Sequence, residues 1–182
     1  MSIKSLSKSD APKIITDKEK KLGDDDFIVS KTDLKGKIIY CNEIFVDMAG
    51  YPAASLIGAN HNVIRHPSMP KIAFKVLWNL IQNKKEFFGF VKNLRADGGY
   101  YWVFAYITPD FDQSGRIISY TSVRRKAPLS AIKIIEPIYK TLVDAERSGG
   151  VSASEKILND LLKEKKLSYE EFVIDLQKGA TL

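Results

Sequence analysis

Cysteine is nearly absent from this chain of 182 residues, and histidine is scarce. One cysteine, Cys41, and two histidines, His61 and His66, are all it has. A single cysteine excludes an internal disulfide and any thiolate metal cluster, and two histidines are too few for most protein-only zinc sites. No stretch approaches the roughly 20 apolar residues needed to cross a bilayer. Met1 to Lys21 is polar and lysine-rich with no apolar run, unlike a secretory signal, so a cytoplasmic location is expected. No Gly-rich phosphate loop, nucleophile–base arrangement or paired carboxylates stand out, which argues against an enzyme.

What is present is the balance of a globular protein, with 45% hydrophobic and 27% charged residues. The net charge of +6 is uneven. Residues 1–128 carry 20 Lys+Arg against 13 Asp+Glu, and residues 129–182 carry 8 against 9. The basic residues are scattered among strands and loops rather than striped along one helix, so a solvated surface is expected and no nucleic-acid partner.

Three zones separate. Residues 1–24 read as a loose or partly helical lead-in. Residues 25–126 alternate strand and helix signals, and residues 128–182 read as a helical tail. In the middle zone, Phe27-Ile28-Val29 and Ile38-Ile39-Tyr40 flank turn residues and predict a hairpin. Asn42 to Gly50 predicts a short helix ended by Gly50. A longer helix starts near Pro70, with Ile72, Ala73, Val76, Leu77, Leu80 and Ile81 on one face and Phe74 and Trp78 four apart. Phe87–Leu94, Tyr100–Thr108 and Arg116–Arg124 then predict three strands, joined by turns at Asp97-Gly98 and Asp112–Gly115. Two strands, several helices and three strands give an α+β architecture: a five-stranded antiparallel sheet with helices on one face and a cavity between them. In the tail, Leu129–Arg147 predicts an amphipathic helix kinked or restarted at Pro137 and stopped by Ser148-Gly149-Gly150. Ser152-x-x-Glu155 and Ser168-x-x-Glu171 read as capping boxes of two further helices.

Several middle-zone stretches carry a resemblance: Thr32-Asp33-Leu34, Tyr40-Cys41-Asn42-Glu43-Ile44-Phe45, Gly50-Tyr51, and above all His61-Asn62-Val63-Ile64-Arg65-His66-Pro67-Ser68-Met69-Pro70-Lys71 with Ala73-Phe74 and Trp78. Gly89–Arg95 and Tyr101-Trp102-Val103 complete it. Over residues 27–126 the chain resembles the PAS domains of the aerotaxis-receptor (Aer) and energy-taxis sensor family. That resemblance implies non-covalent FAD, whose redox state is the signal. It implies that Asn42, Arg65, His66, Phe74, Trp78 and Asn93 contact or frame the flavin. It further implies output through protein contact with a separate chemoreceptor-like signalling protein, because the anchor and kinase-control regions of that family are not recognised here. Ser68 departs from the family, which often has an acidic residue there.

The residues themselves leave alternatives open. Trp78 is a flat wall for a ring system or core filling beside Phe74. Asn93 offers a donor and an acceptor to a heterocycle edge or faces solvent from its strand. Asn42 is a helix N-cap as readily as a ligand contact. Arg65 grips a pyrophosphate or forms a surface salt bridge. His61 reads as a solvated loop residue. No cysteine lies in Gly58–His66, the segment that carries the adduct-forming cysteine of LOV photosensors, so a light-driven adduct is not expected. Haem on His61 or His66, and an empty interaction or homodimerisation module, are the other readings. The tail is free to cover the sheet, a partner or a second copy.

Overall fold

The computed structural model describes residues 5–179. Five antiparallel strands form one sheet in the order β2-β1-β5-β4-β3: β1 Ile28–Thr32, β2 Ile38–Cys41, β3 Phe87–Leu94, β4 Tyr100–Phe111 and β5 Ile117–Lys126. Four helical pieces lie between β2 and β3: α1 Glu43–Ala49, α2 Ala53–Leu56, a 3-10 turn His61–Ile64, and α3 Lys71–Gln82. They occupy the inner face of the sheet, as the order of the elements requires.

Side chains alternate across the strands, and the register sorts them. Val91 pairs with Val103 and Asn93 with Tyr101, facing inward; Phe90 pairs with Phe104 and Lys92 with Trp102, facing outward. The inner core gathers Ile28, Ile38, Phe45, Leu56, Val63, Ile64, Tyr101 and Val103. Asn42 ends β2 and starts α1. Its Oδ1 accepts the N–H of Phe45 at 3.1 Å and of Val29 at 3.0 Å, and its Nδ2 donates to the Phe27 carbonyl at 2.7 Å. Gly50 closes α1 in the left-handed region, φ 75°, where a Cβ would be strained.

The lead-in is not loose where it is described. Leu6 N–H donates to Ser55 O and Thr16 N–H to Gly98 O, while Tyr100 accepts the N–H of Lys20 and donates its own to Lys18 O. Leu22 is buried with the inner core. These backbone partners, invisible to composition, turn a polar segment into a strap over the α2 region and the β3–β4 hairpin. Residues 1–4 of that lead-in fall outside the described residues.

The tail comprises α4 Leu129–Lys165 and α5 Tyr169–Lys178, and it covers the outer face of β3 and β4. Tyr139 stacks near Trp102 with ring centres 6.3 Å apart, and its hydroxyl donates to the Phe90 carbonyl at 2.8 Å. Phe172, Val173 and Leu176 of α5 join the same cluster. The helix runs through Pro137 without the expected restart. Pro137 and Lys133, whose carbonyl loses its N–H partner, are both exposed, so water can satisfy that carbonyl. The break comes at Gly150, φ 68° and ψ −170°. The capping box expected at Ser152 is absent: Ser152 Oγ donates to Gly149 O, and Glu155 pairs with Lys75 at 2.7 Å. The second box, Ser168 with Glu171, is formed.

Candidate functional site

Between α3 and the inner face of β3, β4 and β5 lies a cavity of about 410 Å3. That falls in the range of roughly 300–1,000 Å3 typical of small-molecule sites. Its apolar walls include Phe74, Leu77, Trp78 and Ile81 of α3, with Val91, Ala105 and Ile107 of the sheet. Trp78 meets Tyr120 edge to face, ring centres 5.7 Å apart. Gly36 lets the β1–β2 turn approach Trp78: a Cβ there would sit 3.3 Å from the indole, at a backbone φ of 77°.

Polar groups enter from three directions. Asn93 points in from β3, almost fully buried, and its Nδ2 has no partner among the described residues. Arg124 points in from β5. It is 2% exposed, one amino group donates to Ser30 Oγ at 2.5 Å, and its Nε likewise has no partner. His61 comes from the 3-10 turn. It stacks on Phe45 at 5.6 Å, and its Nε2 lies 3.4 Å from both Ser30 Oγ and Arg124 Nη1. Burial, reinforced by the Arg124 guanidinium, pushes the His61 imidazole down to about 3, so it is neutral at pH 7 and accepts from its cationic neighbour. Ser30 does not line the cavity, so this serine–histidine proximity offers no accessible nucleophile.

Lys35, Arg65 and Arg124 line the cavity, and no carboxylate does among the described residues. Arg65 bonds the Met69 carbonyl at 3.0 Å and lies over the Phe74 ring at 4.1 Å. It also lines a smaller cleft of about 290 Å3 with Lys8, His66, Lys71, Glu146 and Arg147. The arrangement suits a flat, electron-rich or anionic ligand: two unsatisfied buried donors, aromatic walls and a positive surround.

Of the residues singled out from sequence, Arg65, Phe74, Trp78 and Asn93 line the cavity together. Asn42 does not; its side-chain amide bonds Phe27, Val29 and Phe45 and so holds β1 to α1. His66 faces the smaller cleft, where Ser68 donates to its Nδ1 through both backbone N–H (3.1 Å) and hydroxyl (2.7 Å), and Tyr100 meets it edge on. Its pKa falls to about 4 through burial, with Lys92 adding. The positive end of α3 is occupied by the Glu146 carboxylate of the tail. His61 is a cavity wall, not a solvated loop residue. Arg124 and Ser122 escaped sequence reading altogether. The signal for them is the period of β5, in which Tyr120, Ser122 and Arg124 share the inward face.

The PAS fold family model matches residues 38–124. The chain contains a PAS domain. Over 128 residues it is 39% identical to the aerotaxis receptor of Escherichia coli K12, covering 70% of this chain and 25% of the receptor. It is 29% identical over 102 residues to a nitrogen fixation regulatory protein of Klebsiella oxytoca, covering 56% and 21%. The chain thus spans about a quarter of the length of these curated relatives. Among solved structures, a light-oxygen-voltage domain probed with a flavin analogue superposes with a TM-score of 0.54 at 20% identity, covering 63% of this chain and 86% of that one. The LOV domain of a blue-light activated histidine kinase from Erythrobacter litoralis gives 0.51 at 25%, covering 55% and 94%. These structures share the five-stranded PAS sheet and its helices.

Proposed function

We propose that this PAS domain is a redox sensor that holds FAD non-covalently in the cavity between α3 and the sheet, and is not itself an enzyme. The observation that carries the reading is the pair of buried, unpartnered donors, Asn93 Nδ2 and Arg124 Nε, in a cavity walled by Phe74 and Trp78. A flavin ring supplies what they lack: carbonyl and ring-nitrogen acceptors on one edge and a flat face for the aromatics. Asn93 binds the heterocycle edge, Trp78 and Phe74 bound the ring, and Arg65, between the two cavities, receives the phosphates. The flavin, when bound, supplies reversible electron uptake; the chain orients it and shields it from water.

The similarity to the aerotaxis receptor supports a place in energy taxis. In this reading the protein is cytoplasmic, and its signal leaves by contact with a chemoreceptor-like protein, with a second copy as an additional partner. No helix of the described residues is long and apolar enough to cross a membrane.

The visible absorption spectrum of the purified protein, followed by titration with FAD, tests the reading. Flavin bands, or their appearance with a rise in melting temperature on adding FAD, are expected. A Soret band would replace flavin by haem. A spectrum without bands, and no response to FAD, would leave a cofactor-free interaction module.

A further inference from the structure

Arg124 carries a charge that no described residue neutralises. Its guanidinium touches a hydroxyl (Ser30), a neutral imidazole (His61) and the face of Phe45, 4.6 Å from the ring centre. Cys41 and Tyr101, the other titratable groups near it, are a thiol and a phenol that burial keeps protonated. Arg124 has no salt bridge among the described residues, and no carboxylate lines the cavity it faces. Burial makes the guanidinium easier to deprotonate, down to about 10, which still leaves it charged at neutral pH. A buried, uncompensated cation is destabilising, and the usual remedy is an anion in reach. Here the unfilled Nε–H shows where such an anion belongs.

We propose that Arg124 makes the cavity prefer the reduced form of its flavin over the oxidised form, and so sets the potential at which the sensor switches. This rests on the flavin reading above. Two electrons and one proton turn the neutral oxidised ring into a reduced ring with one negative charge on its pyrimidine side. An unpaired guanidinium on the cavity wall interacts with that charge far more than with the neutral ring. Ligand affinity then differs between the two redox states, and that difference is what shifts the equilibrium. A role for Arg124 in gripping phosphate would behave otherwise, since the phosphates carry the same charge in both states.

The test is equilibrium titration of the apoprotein with oxidised FAD and, without oxygen, with dithionite-reduced FAD. Wild type, Arg124→Lys, Arg124→Gln and Arg124→Met are compared, each checked for folding by circular dichroism. In the Met and Gln variants the reduced-over-oxidised affinity ratio should fall at least tenfold, equivalent to about 30 mV on a two-electron midpoint. The Lys variant should retain most of the ratio. Where the Met variant does not fold, the Gln variant carries the same reading. Equal losses for both redox forms, or an unchanged ratio, overturn the inference while leaving the flavin reading intact. Failure of the wild type to bind either form overturns the flavin reading instead.

Discussion

The Glu146 carboxylate sits on the N-terminus of α3 and accepts the N–H of Ile72 at 2.9 Å. Its other oxygen takes the Lys71 N–H at 2.8 Å, and Ser154, beyond the Gly150 break, donates at 2.9 Å to the oxygen that holds Ile72. The helix that walls the cavity is therefore capped by the tail, with a negative group at its positive end.

Glu146→Ala should remove this cap and cost about 1–2 kcal/mol, as loss of an N-cap does. Hydrogen exchange should speed up at Lys71 and Ile72 and in the segment after Gly150, more than in the β4–β5 ladder. Uniform acceleration would mean that the contact does not specifically join tail and core.

Phe172→Ala should be far more costly, about 3–5 kcal/mol, because Phe172 is fully buried between α5 and the sheet. Urea unfolding followed by circular dichroism measures it. Two separate transitions, with only the first displaced, would show the tail to be a unit of its own.

Asn42 and Asn93 separate structure from binding. Asn42→Ala strips three hydrogen bonds and should lower stability by about 1–2 kcal/mol with the cofactor spectrum unchanged. Asn93→Leu removes an amide whose Nδ2 has no partner among the described residues, so stability should change little, whereas FAD affinity should drop on the order of tenfold. Melting curves and FAD titrations of the two variants should move in opposite proportion.

Acid should weaken the fold well above the carboxylate range. His61 and His66 titrate near 3 and 4 when folded, against an ordinary 6.5. Lowered histidine values mean that the unfolded chain takes up protons first. Stability is thus complete above about pH 6.5 and is lost as pH falls toward 4, by about 1.4 kcal/mol per pH unit for each histidine in its window. In His61→Gln the urea midpoint should fall less steeply between pH 6.5 and 4.5. An identical slope would show that His61 charges freely in the native state.

Trp78 should report occupancy of the cavity. With Trp102→Phe, a substitution under the tail, Trp78 is the sole tryptophan of the chain. Its fluorescence should be strongly quenched by FAD at the stoichiometry of binding, and FAD should not quench Trp102 to that extent in Trp78→Phe. Equal quenching of both would place the ligand elsewhere.

Local chemistry made much of this architecture legible. Asn42 and Gly50 bracket α1 because cap and left-handed residues act within a turn of their own position. Asp97-Gly98 and the β3–β4 register follow from turn type, and Arg65, Phe74, Trp78 and Asn93 line one cavity, whereas Asn42 and His66, singled out with them, do not. Pro137 and Ser152 misled, because a solvent-facing carbonyl tolerates proline and because Glu155 had a distant lysine to meet.

The sequence by itself determined the strand and helix order, hence the PAS sheet with a cavity beneath it, since period and turn chemistry are local. Only the tertiary structure decided that the polar lead-in is a strap, that the tail lies on the outer face and caps α3 through Glu146, and that His61 and Arg124 meet in the cavity wall. Those outcomes join residues far apart in the chain: Ser5 and Ile57 in the strap, 52 positions apart, Lys71 and Glu146 in the cap, 75 apart, and His61 and Arg124 in the cavity wall, 63 apart. Burial and pairing at such separation depend on which surfaces the fold brings together, and no local pattern encodes that.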